Sequence, residues 1–367
     1  MCKGGGSVAD LVAAQLTEAF SGKRVLVTGH TGFKGSWLAL WLHELGADVV
    51  GLALPPENPD DHFNLIHLDK SIHHEIGNIC DKNTVDRVCA DFQPEYLFHL
   101  AAQPLVRYSY DEPKLTFDTN VGGSVNILEA VRNSPSIKSL IYVTSDKCYK
   151  NREWLWGYRE NDELGGRDPY SASKAAAELV FSSYQDSFFS RRAGLGAATV
   201  RAGNVIGGGD WARDRIVPDC IRAVRSRQPI EIRNPSATRP WQHVLEPLSG
   251  YLLTAAKLYA APKEFSGAWN FGPDDESVRT VKDLAEQLIS CWGEGTLDTP
   301  QQQDAPHEAH LLHLNCEKAQ RLLGWRSQWN FVEGVSETVR WYREITDGGD
   351  ALQISRQQIA KYMEALK

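Results

Sequence analysis

Val25-Leu26-Val27-Thr28-Gly29-His30-Thr31-Gly32-Phe33-Lys34-Gly35-Ser36 is the stretch whose reading decides the fold. An apolar run ending at Thr28 predicts a buried strand, and the residues from Ser36 onward predict a helix. Glycines at 29, 32 and 35 permit a tight turn, close backbone approach to a bound group, and close packing of that helix. The first N–H groups of a helix lack intrahelical acceptors and sit at the positive end of its dipole, so the turn suits a pyrophosphate. Gly29, His30, Thr31, Gly32, Phe33, Lys34 and Gly35 are therefore candidate cofactor ligands.

Downstream, short β-branched apolar runs alternate with longer helical patterns, the signature of βαβ units and a parallel sheet. Strands are expected at Arg24–Thr28, Asp48–Leu52, Tyr96–Leu100, Leu140–Thr144 and Ala198–Arg201. Crossover helices are expected at Gly35–Gly46, Asn83–Phe92, Val121–Asn133 and Tyr170–Ser187. After Asn204 the rhythm breaks at Gly207-Gly208-Gly209, with prolines and arginines following until a helical stretch near Val244–Tyr259. The fold class is α/β: a Rossmann-type doubly wound parallel sheet with a smaller C-terminal α/β substrate-binding lobe. Residues 1–20 read as a flexible extension ending in a short amphipathic helix, and 21–204 as the dinucleotide domain, with a return segment about 242–262. Residues 205–241 and 263–350 read as the substrate lobe, and 351–367 as a helical tail.

Composition narrows the classes. A chain of 367 residues, 42% hydrophobic and 23% charged, supports two lobes with a sizeable core and gives no reason to expect disorder. The net charge of −8, with Lys and Arg dispersed, argues against a nucleic-acid partner. No stretch approaches the roughly 18 apolar residues of a membrane helix, and Met1–Asp10 lacks a signal-peptide layout, so a cytoplasmic location is expected. The seven cysteines form no C-x-x-C pair, which argues for reduced thiols and no metal.

Tyr170-Ser171-Ala172-Ser173-Lys174 places a phenol and an ammonium four apart on one helix face. A phenol, with an ordinary pKa of about 10, is a poor base at neutral pH unless a neighbouring cation stabilises its phenolate. Thr144-Ser145-Asp146 ends the strand before this helix and adds a hydroxyl and a carboxyl group.

With the glycine turn, the Tyr-x-x-x-Lys pair and this strand end in order, the chain resembles the extended short-chain dehydrogenase/reductase family from about Lys23 to Tyr342. Further matches are His99-Leu100-Ala101-Ala102-Gln103, Asn78-Ile79, Thr119-Asn120 and Arg201-Ala202-Gly203-Asn204-Val205. The resemblance implies NAD as cofactor, lying along Asn78, Ile79, Ala101, Ala102, Gln103, Asn120 and Thr144, with Tyr170 and Lys174 at its reactive end. One family feature is missing: the second strand runs Val49 to Leu54 into Pro55-Pro56 with no terminal Asp or Glu to hold a ribose hydroxyl. Weaker retention of NAD is expected, and Lys34 stands where it reaches phosphate or ribose.

By the resemblance, Ser145-Asp146-Lys147 points within the family to the nucleotide-sugar 4,6-dehydratases, as against the sugar epimerases, which generally carry small or hydroxyl residues there. Expelling a C6 hydroxyl needs an acid, and Asp146 is the candidate. An Asp-Glu pair is the dTDP-glucose pattern, whereas Asp146-Lys147 resembles the branch acting on CDP-glucose, as do Thr28–Trp37 and Arg239–Val244. By that resemblance CDP-glucose is the substrate and Tyr170 the base for its C4 hydroxyl. Lys174 lowers the phenol pKa, Ser145 bonds the C4 oxygen, and Lys147 acts as C5 base or as a cation beside an enolate. Gln103, Asn204, Arg215, Arg233, Arg239 and Trp241 are the candidate substrate ligands, with Arg213 and Trp211 in the same region. Homodimers or homotetramers are the expected assemblies.

Overall fold

Seven parallel strands form the central sheet of the computed structural model, which describes residues 8–232, 234–274, 277–299 and 311–366. Across the sheet the order is His73–Ile76, Asp48–Ala53, Arg24–Thr28, Tyr96–His99, Ser139–Val143, Gly196–Ala202 and Gly267–Phe271. Leu26 stands opposite both Val50 and Leu97. The chain winds outward in both directions from Arg24–Thr28, so the crossovers on either side diverge. In such a sheet ligands bind beyond the strand C-termini at that switch point.

Alternation of side chains explains why the sheet is covered on both faces. Val25, Val27, Tyr96, Phe98, Ile141 and Val143 pack with Trp37, Trp41 and Tyr251 on one side. Leu26, Val50, Leu52, Leu97, Leu140 and Tyr142 pack with Val85, Ile127 and Phe181 on the other. The helices behind these contacts are Phe33–Glu44 and Leu245–Ala260 on the first face, and Lys82–Phe92, Ser124–Asn133 and Pro169–Ser187 on the second. Two edge strands had no expectation in the sequence: His73–Ile76 is polar because one edge faces water, and Gly267–Phe271 mixes small, polar and aromatic residues. The helix expected from Val121 begins as a π-helical turn over Asp118–Gly123.

Of the N-terminal extension, residues 1–7 lie outside the described residues, and the short helix expected after them is present. Val8–Phe20 is helical, Leu16 and Phe20 are fully buried, and the Tyr96 hydroxyl donates to the Ala19 carbonyl at 3.1 Å. Leu16 and Phe20 fall on one helix face, and that face closes the core over Tyr96 and Phe98. The Ala351–Ala365 helix is likewise built in, through Ile354, Ile359 and Tyr362.

The second lobe holds short strand pairs, Thr238–Pro240 with Val278–Thr280 and Ile230–Glu231 with Leu297–Asp298, and the helices Ile216–Arg225 and Val281–Trp292. Among the described residues no helix is long and apolar enough to cross a membrane.

Candidate active site

A cleft of about 2400 Å³ opens at the C-terminal ends of the strands and is walled on its far side by the second lobe. Gly29 through Gly35, except His30, form its floor. Gly29 has φ +79°, and a β-carbon there would stand 2.7 Å from Ala101 N; at Gly35 one would stand 2.0 Å from Gly29 O. These two glycines are thus required by packing between turn, helix and the strand end at Ala101. Gly32 differs: a β-carbon there meets only Gly29 O, at 3.4 Å, and its outer side is exposed to the cleft. It begins the Phe33–Glu44 helix without a side-chain cap, so the first-turn amides remain available to an anion. A diphosphate fits this cradle.

At the far end of the cradle Ala53, Leu54, Pro55, Glu57, Asn58, Asp61, Asn78 and Ile79 line a corner suited to an adenosine. The Asn78 side-chain oxygen accepts from Cys80 N at 2.9 Å, which leaves its amino group uncommitted by that turn. Glu57 and Asp61, from the loop after the second strand, stand in this corner where the strand end itself offers no acid. Lys34 points elsewhere, since its charged neighbours are Arg215, Asp146, Lys174 and Lys147 at the other end of the cleft. Burial pushes its pKa down to about 8, the positive neighbours adding to that effect.

Three residues expected on the cofactor lie behind the cleft wall. His30 is fully buried, its Nε2 2.6 Å from His74 Nδ1, under Gly51, where a β-carbon would strike the imidazole. Gln103 braces its own loop: its amide donates to Leu105 O at 3.1 Å and Thr116 Oγ1 at 2.8 Å. Asn120 accepts from Gln103 N at 2.8 Å and donates to Ser173 Oγ at 2.9 Å, tying the loop to the helix that carries Tyr170. Gln103 and Asn120, with these partners, are satisfied locally and act by holding the wall. Ala101, Ala102 and Thr144 do face the cleft.

Ser145, Asp146, Lys147, Tyr170 and Lys174 all line the cleft, with Ser145 and Asp146 beside the Tyr170 phenol and Asp146, Lys147 and Lys174 all neighbours of Lys34. Asp168 caps the Pro169–Ser187 helix by accepting from Ser171 N at 2.9 Å, with Pro169 in the first turn, and so fixes where the Tyr170 face begins. Opposite, Ser145 ends the extended backbone and opens a short turn over Asp146–Cys148. Its hydroxyl donates to Asp146 Oδ1 at 2.9 Å and accepts from Lys147 N at 3.2 Å. Asp146 is buried, while Lys147 is half-buried. Burial raises the Tyr170 phenol to about 12, against the lowering effect of the Ser145 hydroxyl. Burial lowers Lys174 to about 8, and Glu178 opposes that shift.

On the substrate side Asn204, Arg215, Arg239, Trp241, Arg213 and Trp211 all line the cleft. Arg215 Nη1 donates to Asp210 Oδ2 at 2.8 Å, and Arg239 Nη1 to the Thr238 carbonyl at 2.8 Å. Trp241 is largely core, its indole N–H donated to Arg279 O at 3.2 Å. Trp211 packs against Arg222, Arg225 and Tyr342. Arg233 lies outside the described residues. Glu178 and Arg201 form a buried ion pair at 2.8 Å whose one trace in the sequence is the spacing of four that runs through Tyr170, Lys174 and Glu178.

A glycine cradle at the switch point, with a Tyr-Lys helix and a hydroxyl-acid-cation turn around its open end, defines a Rossmann-type short-chain dehydrogenase/reductase. The chain belongs to the GDP-mannose 4,6 dehydratase family, whose model matches residues 26–338. A CDP-glucose 4,6-dehydratase of Salmonella typhimurium is 49% identical over 350 residues, covering 94% of this chain and 98% of that protein. Among solved structures, DesIV, a dTDP-glucose 4,6-dehydratase from Streptomyces venezuelae with NAD and TYD bound, superposes with a TM-score of 0.76 at 24% identity, over 90% of this chain and 99% of that one. The epimerase Mth375 from Methanothermobacter thermautotrophicus gives 0.77 at 24% identity, over 92% and 96%. The shared fold therefore spans both dehydratases and epimerases.

Proposed function

We propose that this chain is an NAD-dependent lyase that converts CDP-glucose to CDP-4-dehydro-6-deoxyglucose and water. The observation that carries the reading is the convergence of Ser145-Asp146-Lys147 on the Tyr170 and Lys174 side chains, with the acid buried. The 49% identity to the Salmonella enzyme supports the same substrate. NAD is favoured over its phosphorylated form because the adenosine corner is lined by Glu57 and Asp61 and by no Lys or Arg from 53–61 or 77–79.

Gly29, Thr31, Gly32 and Gly35 would hold the diphosphate of NAD, which when bound would supply hydride-transfer chemistry for C4 and C6. Tyr170 takes the C4 hydroxyl proton. With its phenol at about 12, it needs the charge of Lys174 and the hydrogen bond of Ser145 to accept that proton. Once C4 is a ketone, the C5 proton is acidic; Lys147 removes it, and the ammonium so formed stands by the enolate and gives a proton back to C5 when C6 is reduced. Asp146 protonates the departing C6 oxygen, a step worth roughly 10²- to 10⁴-fold. Arg215 and Arg239, with Asn204 beside them, meet the diphosphate. The same reading makes the chain a cytoplasmic homo-oligomer that supplies a deoxysugar precursor for a surface polysaccharide.

The test is incubation of purified protein with CDP-, dTDP- and GDP-hexoses, each with NAD or NADP, followed by the alkaline absorbance of a 4-keto-6-deoxy product. Product from CDP-glucose with NAD is expected. A C4 epimer would mean an epimerase, and equilibrium binding with no turnover would mean a dinucleotide sensor.

A further inference from the structure

A lysine that is 5% exposed, as Lys174 is, has little water to stabilise its charge and depends on the anions buried with it. Glu178 follows Lys174 by one helical turn and is itself 4% exposed. Its carboxylate is clamped. Arg201 donates Nε to Oε1 and Nη2 to Oε2, each at 2.8 Å, and the Thr144 hydroxyl donates to Oε1. Arg201 Nη1 in turn donates to the Tyr149 hydroxyl at 2.6 Å and the Glu160 carbonyl at 3.0 Å. Thr144 immediately precedes Ser145-Asp146-Lys147, and Arg201 stands two residues before Gly203, against which Asp146 packs. One carboxylate therefore joins the two elements that carry the reacting groups to the Gly196–Ala202 strand that lies beside them.

We propose that Glu178 is a positioning residue: held by Arg201 and Thr144, it is the buried counter-charge that keeps Lys174 an ammonium beside Tyr170. This rests on the reading of Tyr170 and Lys174 as the catalytic pair. The other titratable groups facing Lys174 and Glu178 leave that task to Glu178. Burial keeps His99 neutral, at about 3, and pushes the Tyr142 and Tyr149 phenols and the Cys148 thiol upward, so all four are uncharged near neutrality. Lys34 is another cation, whose charge Asp146 offsets. Arg201 is the cation paired with the Glu178 side chain, through Nε to Oε1 and Nη2 to Oε2.

Lysine labelled with ¹³C at Cε, with the Lys174 signal assigned through Lys174→Arg, allows that ammonium to be titrated directly. In Glu178→Gln its midpoint is expected to fall by roughly one to three pH units, as for loss of a close opposite charge. The alkaline limb of kcat against pH should move down with it. Glu178→Asp, which keeps the charge but draws it back by one methylene, should give a smaller shift in the same direction and serves if the glutamine variant does not fold. A Lys174 midpoint unchanged in either folded variant overturns the proposal, as does a shifted midpoint with an unmoved kcat limb. Wild-type turnover by Lys174→Arg and Tyr170→Phe would instead sink the catalytic reading, while the titration would still report on Glu178.

Discussion

Asp146 Oδ2 lies so close to Gly203 that a β-carbon added at Gly203 would stand 3.3 Å from it and 3.3 Å from Pro240 Cγ. Pro240 is rigid and buried, so in Gly203→Ala the carboxyl group must give way. Displacing a reacting group by as much as 1 Å costs on the order of 10²-fold, so a shift of a few tenths of that should lower kcat about tenfold with KM for CDP-glucose little changed. Steady-state kinetics check this, and an unchanged kcat would mean that the position of Asp146 is not critical.

Asp146→Asn separates oxidation from elimination. The amide keeps size and polarity but has no carboxyl proton to donate, while Tyr170 and Lys174 remain. Rapid mixing with CDP-glucose should show absorbance of the reduced nicotinamide that rises and persists, with product formation slowed roughly 10²- to 10⁴-fold. Product at the wild-type rate without that signal would remove Asp146 as the acid.

Tyr170→Phe takes away a hydroxyl that acts in proton transfer and contributes little to ground-state binding. Turnover should be lost while calorimetry shows CDP-glucose affinity within a few-fold of wild type. Near-normal turnover would contradict the assignment of the base.

Glu246 gives a stability prediction remote from the cleft. It is fully buried and accepts from Trp329 N at 2.7 Å, Gln328 N at 3.0 Å and the Tyr362 hydroxyl at 2.6 Å. Burial raises its pKa from 4.5 to about 7. A raised folded-state value means that its contribution is fully present below the unfolded value and is lost as pH rises through about 7. The loss is on the order of 3 kcal/mol. Thermal unfolding between pH 5 and 8 should therefore be flatter in Glu246→Gln than in wild type, and parallel curves would refute the assignment.

Much of this architecture is written in short-range pattern. The turn from Thr28 to Gly35 and the Tyr170–Lys174 spacing depend on neighbours within one or two helical turns, and the buried strands depend on runs of apolar residues. Their ends moved by a residue or two. The edge strand His73–Ile76 left no such trace, because a strand bordering water needs no apolar run.

By itself, then, the sequence determined the parallel sheet and the glycine turn, since both follow from spacing along the chain, while the roles proposed for Ser145, Asp146, Lys147, Tyr170 and Lys174 rest on the family resemblance. Tertiary structure alone decided which polar residues face the cleft and which brace it. His30 sits inside the glycine turn yet pairs with His74, and Gln103 and Asn120 bond each other's segments behind the wall. Arg201 reaches Glu178 from another strand, and Asp146 finds Gly203 across the strand ends. Such pairings are set by strand register and by the way the helices cross the sheet, and the final partner of a buried polar group is whichever donor or acceptor that packing brings within hydrogen-bond reach.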